Sequence, residues 1–167
     1  MSDEGLVIFD CDGVLVDSES ISRRLSYEMA AAELGFNPTS KEIEELDRRN
    51  LGRSDDDIFA ELGVQLGTPV SIGFMVRLSI RKTEEYVKGV PAIPGAKGLV
   101  GRIALAGLSR CVATSGTYPE TEAKIEAADL QGLFRERYYC AQMVPRGKPA
   151  PDLFLYAAQM EDVPLHN

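Results

Sequence analysis

Five residues near the start of the chain, Gly5-Leu6-Val7-Ile8-Phe9, form a continuous apolar run. It ends abruptly in two acids, Asp10 and Asp12. A short apolar run with no polar alternation reads as a strand covered on both faces, as in a parallel sheet. In open α/β sheets ligands bind beyond the carboxyl ends of the strands, which is where Asp10 and Asp12 are expected to project. Gly13 follows and permits a sharp turn with close backbone approach. Two more runs have strand character: Arg110 to Thr114, and Arg137 to Ala141.

Helical patterns separate these runs. Residues 19 to 34 place Ile21, Leu25 and Met29 at four-residue spacing, and Gly35 is positioned as a C-terminal cap. Thr39 and Glu42 have capping-box spacing. Ser54 is expected to cap a helix over about 55 to 62, with Gly63 after it. Pro69 is expected to open a longer helix that stops at Gly89. Helices are also expected over 95 to 106, 119 to 128 and 152 to 160, with Asp152 as the cap of the last. The order is one strand, a block of helices, then helix–strand alternation. That pattern predicts a doubly wound, Rossmann-like α/β parallel sheet. Residues 1–17 and 89–167 would form the core and 18–88 an inserted α-helical cap. The segment from Val90 to Gly95 would be the hinge.

The composition, 44% apolar, is enough to bury a core. A net charge of -8 argues against nucleic-acid binding, which needs clustered Lys and Arg. It leaves small phosphate esters open, because local charge decides there. No apolar run approaches the roughly 20 residues of a membrane span. The N-terminus lacks a signal-peptide pattern. Cys11, Cys111 and Cys140 do not sit at zinc spacings, and an odd count fits a reducing compartment. A cytoplasmic enzyme is the expected setting.

Paired carboxylates at a strand end repel each other and lose solvent. A hard divalent cation relieves that cost, and Mg2+ prefers such oxygen ligands. One carboxylate could then attack phosphorus while the other moves a proton. The residues alone do not say which does which.

The string Asp10-Cys11-Asp12-Gly13-Val14-Leu15-Val16-Asp17-Ser18 resembles the signature of the haloacid dehalogenase superfamily. More narrowly it resembles the β-phosphoglucomutase-like and phosphoglycolate-phosphatase-like members with a helical cap. The resemblance implies that Asp10 is the nucleophile and forms an aspartyl-phosphate. It implies that Asp12 is the general acid and base, with its backbone carbonyl on Mg2+. The metal set carried over is therefore Asp10 and Asp12. Thr114, in Val112-Ala113-Thr114-Ser115-Gly116, matches the strand-terminal hydroxyl that holds a phosphate oxygen together with the Ser115 amide. Gly13, Ser115 and Gly116 are grouped with it as phosphate-binding. Lys148, in Gly147-Lys148-Pro149-Ala150-Pro151-Asp152, matches the Lys that offsets the charge of nucleophile and phosphate.

In the helical block, Arg53 and Lys82 match positions where the family contacts substrate. For Arg53 the alternative is a loop in which Ser54 and the acids after it only start a helix. For Lys82 it is a solvated helix face. A fourth motif, an acidic pair that ligates Mg2+ through side chains, is expected about ten residues after the 152–160 helix. The chain ends at Asn167, so a parent protein roughly 50 to 70 residues longer is expected. His166, the single His, is expected at the surface. The expected activity is Mg2+-dependent hydrolysis of a small phosphorylated metabolite, of sugar-phosphate or phosphoglycolate type. A sugar-phosphate mutase is the alternative, as is a non-catalytic binding fragment. Oligomeric state is left open.

Overall fold

The computed structural model describes residues 5–50 and 53–164. Leu51 and Gly52, which directly precede Arg53, and His166 lie outside these residues. The fold is α/β. Among the described residues three strands form one parallel sheet in the order β1-β2-β3: β1 (Leu6–Phe9), β2 (Ser109–Thr114) and β3 (Tyr138–Cys140). The β1–β2 register sets Phe9 opposite Val112, so both strands point their carboxyl ends the same way. Eight helices accompany them: α1 (Glu19–Leu34), α2 (Ser40–Arg49), α3 (Asp55–Leu66), α4 (Ile72–Val87), α5 (Ala96–Leu105), α6 (Tyr118–Ala127), α7 (Gln131–Phe134) and α8 (Asp152–Met160).

The chain divides into two compact units. One comprises Met1–Glu19 and Tyr86–Asn167, the other Ser20–Glu85. In the first, the sheet is buried because helices flank it: α5 and α8 pack on β2, and α6 packs on β3. Cys111, Val112 and Ala113 are fully buried, as a central parallel strand requires. Tyr139 donates to Glu161 at 2.7 Å and ties the end of α8 to β3. The segment after Val90 pairs back on the loop after β1: Asp17 N–H donates to Pro91 O at 2.9 Å, and Ile93 N–H to Leu15 O at 2.9 Å.

In the helical unit, Ala30, Phe59, Leu62, Phe74 and Leu78 form the core, with the Phe59 and Phe74 rings 5.0 Å apart. The Thr39–Glu42 capping box forms with both of its reciprocal bonds. Gly35 takes the left-handed conformation that ends α1, at φ 67°.

Three helix boundaries differ from the sequence expectation. Gly63 does not end α3, which runs on to Leu66 and is stopped by Gly67 at φ 69°. Gly63 is instead a close-approach glycine, since an added Cβ would lie 3.1 Å from Thr68 O and Val70 N. Pro69 does not open α4. Ser71 does, accepting from Phe74 N–H at 3.1 Å, while Pro69 and Val70 pass over α3. Asp152 is the first residue of α8 rather than its cap; the cap position is Pro151, and the Asp152 carboxylate binds Arg146 at 2.9 Å through both oxygens.

The glycines give a test of opposite sign. Gly98, exposed within α5, has nothing within 4 Å of an added Cβ. Gly98→Ala should therefore stabilise by about 0.5–1 kcal/mol through helix propensity. Gly63→Ala should lose that gain to the backbone contact and lower the melting temperature. Thermal unfolding of the two variants checks this. Equal stabilisation would contradict the packing of α3.

Candidate active site

The loop after β1 is a tight fold-back. Cys11 O accepts from Leu15 N–H at 2.9 Å and Val16 N–H at 3.1 Å, and Gly13 N–H donates to Val16 O at 2.9 Å. Gly13 sits at φ 71°, where a Cβ would be strained and would also meet Glu19 Oε1 at 3.2 Å. Leu15 and Val16 turn inward and are buried, which leaves the carboxylates of Asp10 and Asp12 at the carboxyl end of the sheet.

Asp10 is nearly half exposed and lies 3.0 Å from Lys148 Nζ. Lys148 comes from a distant loop, after a 3-10 turn at Ala141–Met143. Its ammonium donates to Ala113 O at 2.7 Å and lies 5.4 Å from the centroid of the Phe154 ring. The Ala113 carbonyl thus anchors the lysine beside Thr114. Thr114 is buried at the end of β2, and its Oγ1 accepts from Gly116 N–H at 3.1 Å. Thr117 caps α6 one residue later, accepting from Glu120 N–H, so Ser115 and Gly116 form the whole turn between strand and helix. Asp10, Asp12, Gly13, Thr114, Ser115, Gly116 and Lys148 therefore gather around the carboxyl ends of two adjacent strands.

One residue of this cluster escaped the sequence reading. Lys124, on α6, is 2% exposed, and its Nζ lies 2.7 Å from Asp12 Oδ1. The same oxygen accepts a hydrogen bond from Ser18 Oγ. Burial alone would push the ammonium toward neutrality, but the Asp12 charge and hydrogen bond, together with Cys11 and Tyr86, outweigh it and hold Lys124 above the usual lysine range. The available signal was polar spacing: Thr117, Glu120, Thr121 and Lys124 lie at i, i+3, i+4 and i+7, one face of a helix that follows directly from a strand-end turn. A Glu–Lys pair four apart ordinarily reads as a solvated helix face.

Arg53 and Lys82 belong to the helical unit. Arg53 pairs with Glu61 at 2.8 Å and donates to Asn50 Oδ1 at 2.9 Å. Lys82 is not on a solvated face: it is buried and pairs with Asp55 at 2.7 Å, in the first turn of α3. The Asp55 charge there answers both the lysine and the helix N-terminus.

The donors at the core site fit magnesium in kind. The Asp10 carboxylate and the backbone carbonyl of Asp12 offer hard oxygens, with no thiolate or imidazole among the functional side chains. Among the described residues no cluster of three or more His, Cys, Asp or Glu side chains could hold a metal.

Comparison with known proteins identifies the family. Residues 7–166 match the family described as haloacid dehalogenase-like hydrolase, and the chain belongs to it. It is 34% identical over 161 residues to hexitol phosphatase A of Escherichia coli, covering 92% of this chain and 67% of that protein. It is 27% identical over 162 residues to 6-phosphogluconate phosphatase of the same organism, covering 96% and 70%. The crystal structure of CbbY from Rhodobacter sphaeroides in complex with phosphate superposes with a TM-score of 0.78 at 26% identity, covering 96% of this chain and 73% of that one.

The three cysteines are free and buried. Burial raises all three thiols, Cys111 to about 12; at Cys11 and Cys111 neighbouring carboxylates (Asp12 and Glu161) raise the thiol further. A raised thiol holds little thiolate at pH 8, so a thiol-specific disulfide reagent should leave the native protein unlabelled and label all three in denaturant. Rapid labelling of Cys11 in the native state would contradict the buried loop.

Proposed function

We propose that the protein is a Mg2+-dependent phosphatase of small phosphorylated metabolites, of sugar-phosphate or phosphoglycolate type, working through an aspartyl-phosphate on Asp10. The observation that carries this reading is the Asp10–Lys148 contact at the strand end, with Thr114 beside it. The similarity to hexitol phosphatase A and 6-phosphogluconate phosphatase supports the substrate class.

In this reading Asp10 Oδ attacks phosphorus and the ester oxygen leaves, taking a proton from Asp12. Water then attacks the acyl-phosphate, Asp12 takes its proton back, and inorganic phosphate departs. Thr114 accepts from Gly116 N–H, so its own proton can go to a phosphoryl oxygen, alongside the Ser115 amide. Lys148 offsets the charge of Asp10 and of the phosphoryl group. Gly13 and Gly116 keep the backbone close enough for the phosphate to sit against it. Magnesium, held by Asp10 and the Asp12 carbonyl, would supply charge neutralisation at the phosphoryl oxygens. Arg53 is a proposed substrate contact, exchanging Glu61 for a substrate oxyanion, while Lys82, 1% exposed, is spent on Asp55. The buried free cysteines support a cytoplasmic setting. No helix among the described residues is long and apolar enough to cross a membrane.

A panel of phosphorylated metabolites assayed for phosphate release tests the reading in the full-length protein. Release should require added magnesium and stop with a chelator. Asp10→Asn should lower kcat by at least about a thousandfold, as loss of a nucleophile does. Lys148→Ala should lower it by about 10²–10³-fold, as loss of a charge-stabilising donor does. Turnover retained in Asp10→Asn would sink the nucleophile assignment.

A further inference from the structure

A lysine removed from water needs a reason to be there, because burial of its charge is costly unless a partner answers it. Lys124 is 2% exposed, so it does not reach a substrate from solvent. Its ammonium is fixed from several sides. Asp12 Oδ1 lies 2.7 Å away, and the Tyr86 ring lies beneath it with its centroid at 5.0 Å. Around Gly116, the Lys124 ammonium, the Glu120 carboxylate and the Thr114 hydroxyl all come within 3.5–3.6 Å of where a Cβ would stand. The lysine therefore bridges the Asp12 loop and the turn after β2. Asp12 Oδ1 receives both this ammonium and the Ser18 hydroxyl. Two donors on one oxygen fix the plane of a carboxylate that would otherwise rotate freely about its side-chain bonds.

We infer that Lys124 is a positioning residue, whose ammonium holds the Asp12 carboxylate in the orientation required for proton transfer to the leaving ester oxygen and from the attacking water. The inference rests on the reading of Asp12 as proton donor and acceptor. It is separate from the charge-offsetting part given to Lys148, which sits on Asp10. The bond made and broken is unchanged: Asp12 gives its proton to the leaving oxygen and recovers one from water. Lys124 keeps its own protons throughout. Misplacing a proton donor by even an ångström costs rate without costing affinity.

The leaving group separates positioning from bulk stabilisation. An alkoxide needs a proton as it departs, whereas p-nitrophenolate does not. In the full-length protein with magnesium, Lys124→Met should lower kcat/KM for the alkyl phosphomonoester turned over fastest by about tenfold or more. The loss for p-nitrophenyl phosphate should stay under about threefold. Most of the alkyl loss should lie in kcat, with KM moving little. Lys124→Arg, which keeps the charge, should hold the alkyl-to-aryl ratio to within about threefold of the parent. Asp12→Asn should show the same selectivity more strongly. Equal losses on both esters in Lys124→Met, with Asp12→Asn selective, would overturn the inference alone. A nonselective Asp12→Asn would overturn the reading beneath it as well. Should Lys124→Met fail to fold, Lys124→Gln takes its place, with the same selective alkyl loss expected and equal losses on both esters overturning the inference.

Discussion

A carboxylate at the end of a buried strand is stable only if a cation or several donors answer it. Two such groups stand two residues apart here, and each is met by its own lysine: Asp10 by Lys148 at 3.0 Å, Asp12 by Lys124 at 2.7 Å. The lysines arrive from different elements, one from the loop before α8 and one from α6. The parallel register of β1 and β2 makes this possible, because it aligns the carboxyl ends of both strands and brings the Thr114 turn beside the Asp10 loop. Slip that register by one residue and Thr114 would face the wrong side of the sheet.

The two pairs differ in a way that matters for chemistry. Asp10 remains nearly half exposed, open to an electrophile. Asp12 is clamped by Lys124 and Ser18 and is less exposed. An accessible carboxylate suits attack on phosphorus, and a restrained one suits proton transfer along a fixed direction. This asymmetry supports, on physical grounds, the assignment of roles that sequence spacing leaves open.

Much of the fold was legible because its signals are local. The apolar run at 5–9, the Thr39–Glu42 capping box and the glycine at 35 each specify a short piece of backbone, and each forms in the structure. The misreadings have a common cause. Gly63, Pro69 and Asp152 each carry a local punctuation signal that packing overrides. Gly63 is needed where the chain crosses over α3, and Asp152 is needed to hold Arg146. Lys82 and Lys124 were missed or undervalued for a related reason. A lysine in a helix looks solvated until the tertiary fold shows which carboxylate covers it. Asp10, Asp12, Thr114 and Lys148 stood out because each lies in a distinctive string, whereas Lys124 lies in an ordinary helical one.

The central claim is that phosphate passes through a covalent bond to Asp10. An acyl-phosphate is reduced by borohydride to the alcohol, which converts the modified aspartate to homoserine. Reduction of the full-length protein during turnover, followed by peptide mass spectrometry, reads the site directly. The account predicts the aspartate-to-homoserine mass change at position 10 alone, dependent on substrate. A change at Asp12 instead, or turnover with none at Asp10, would contradict it.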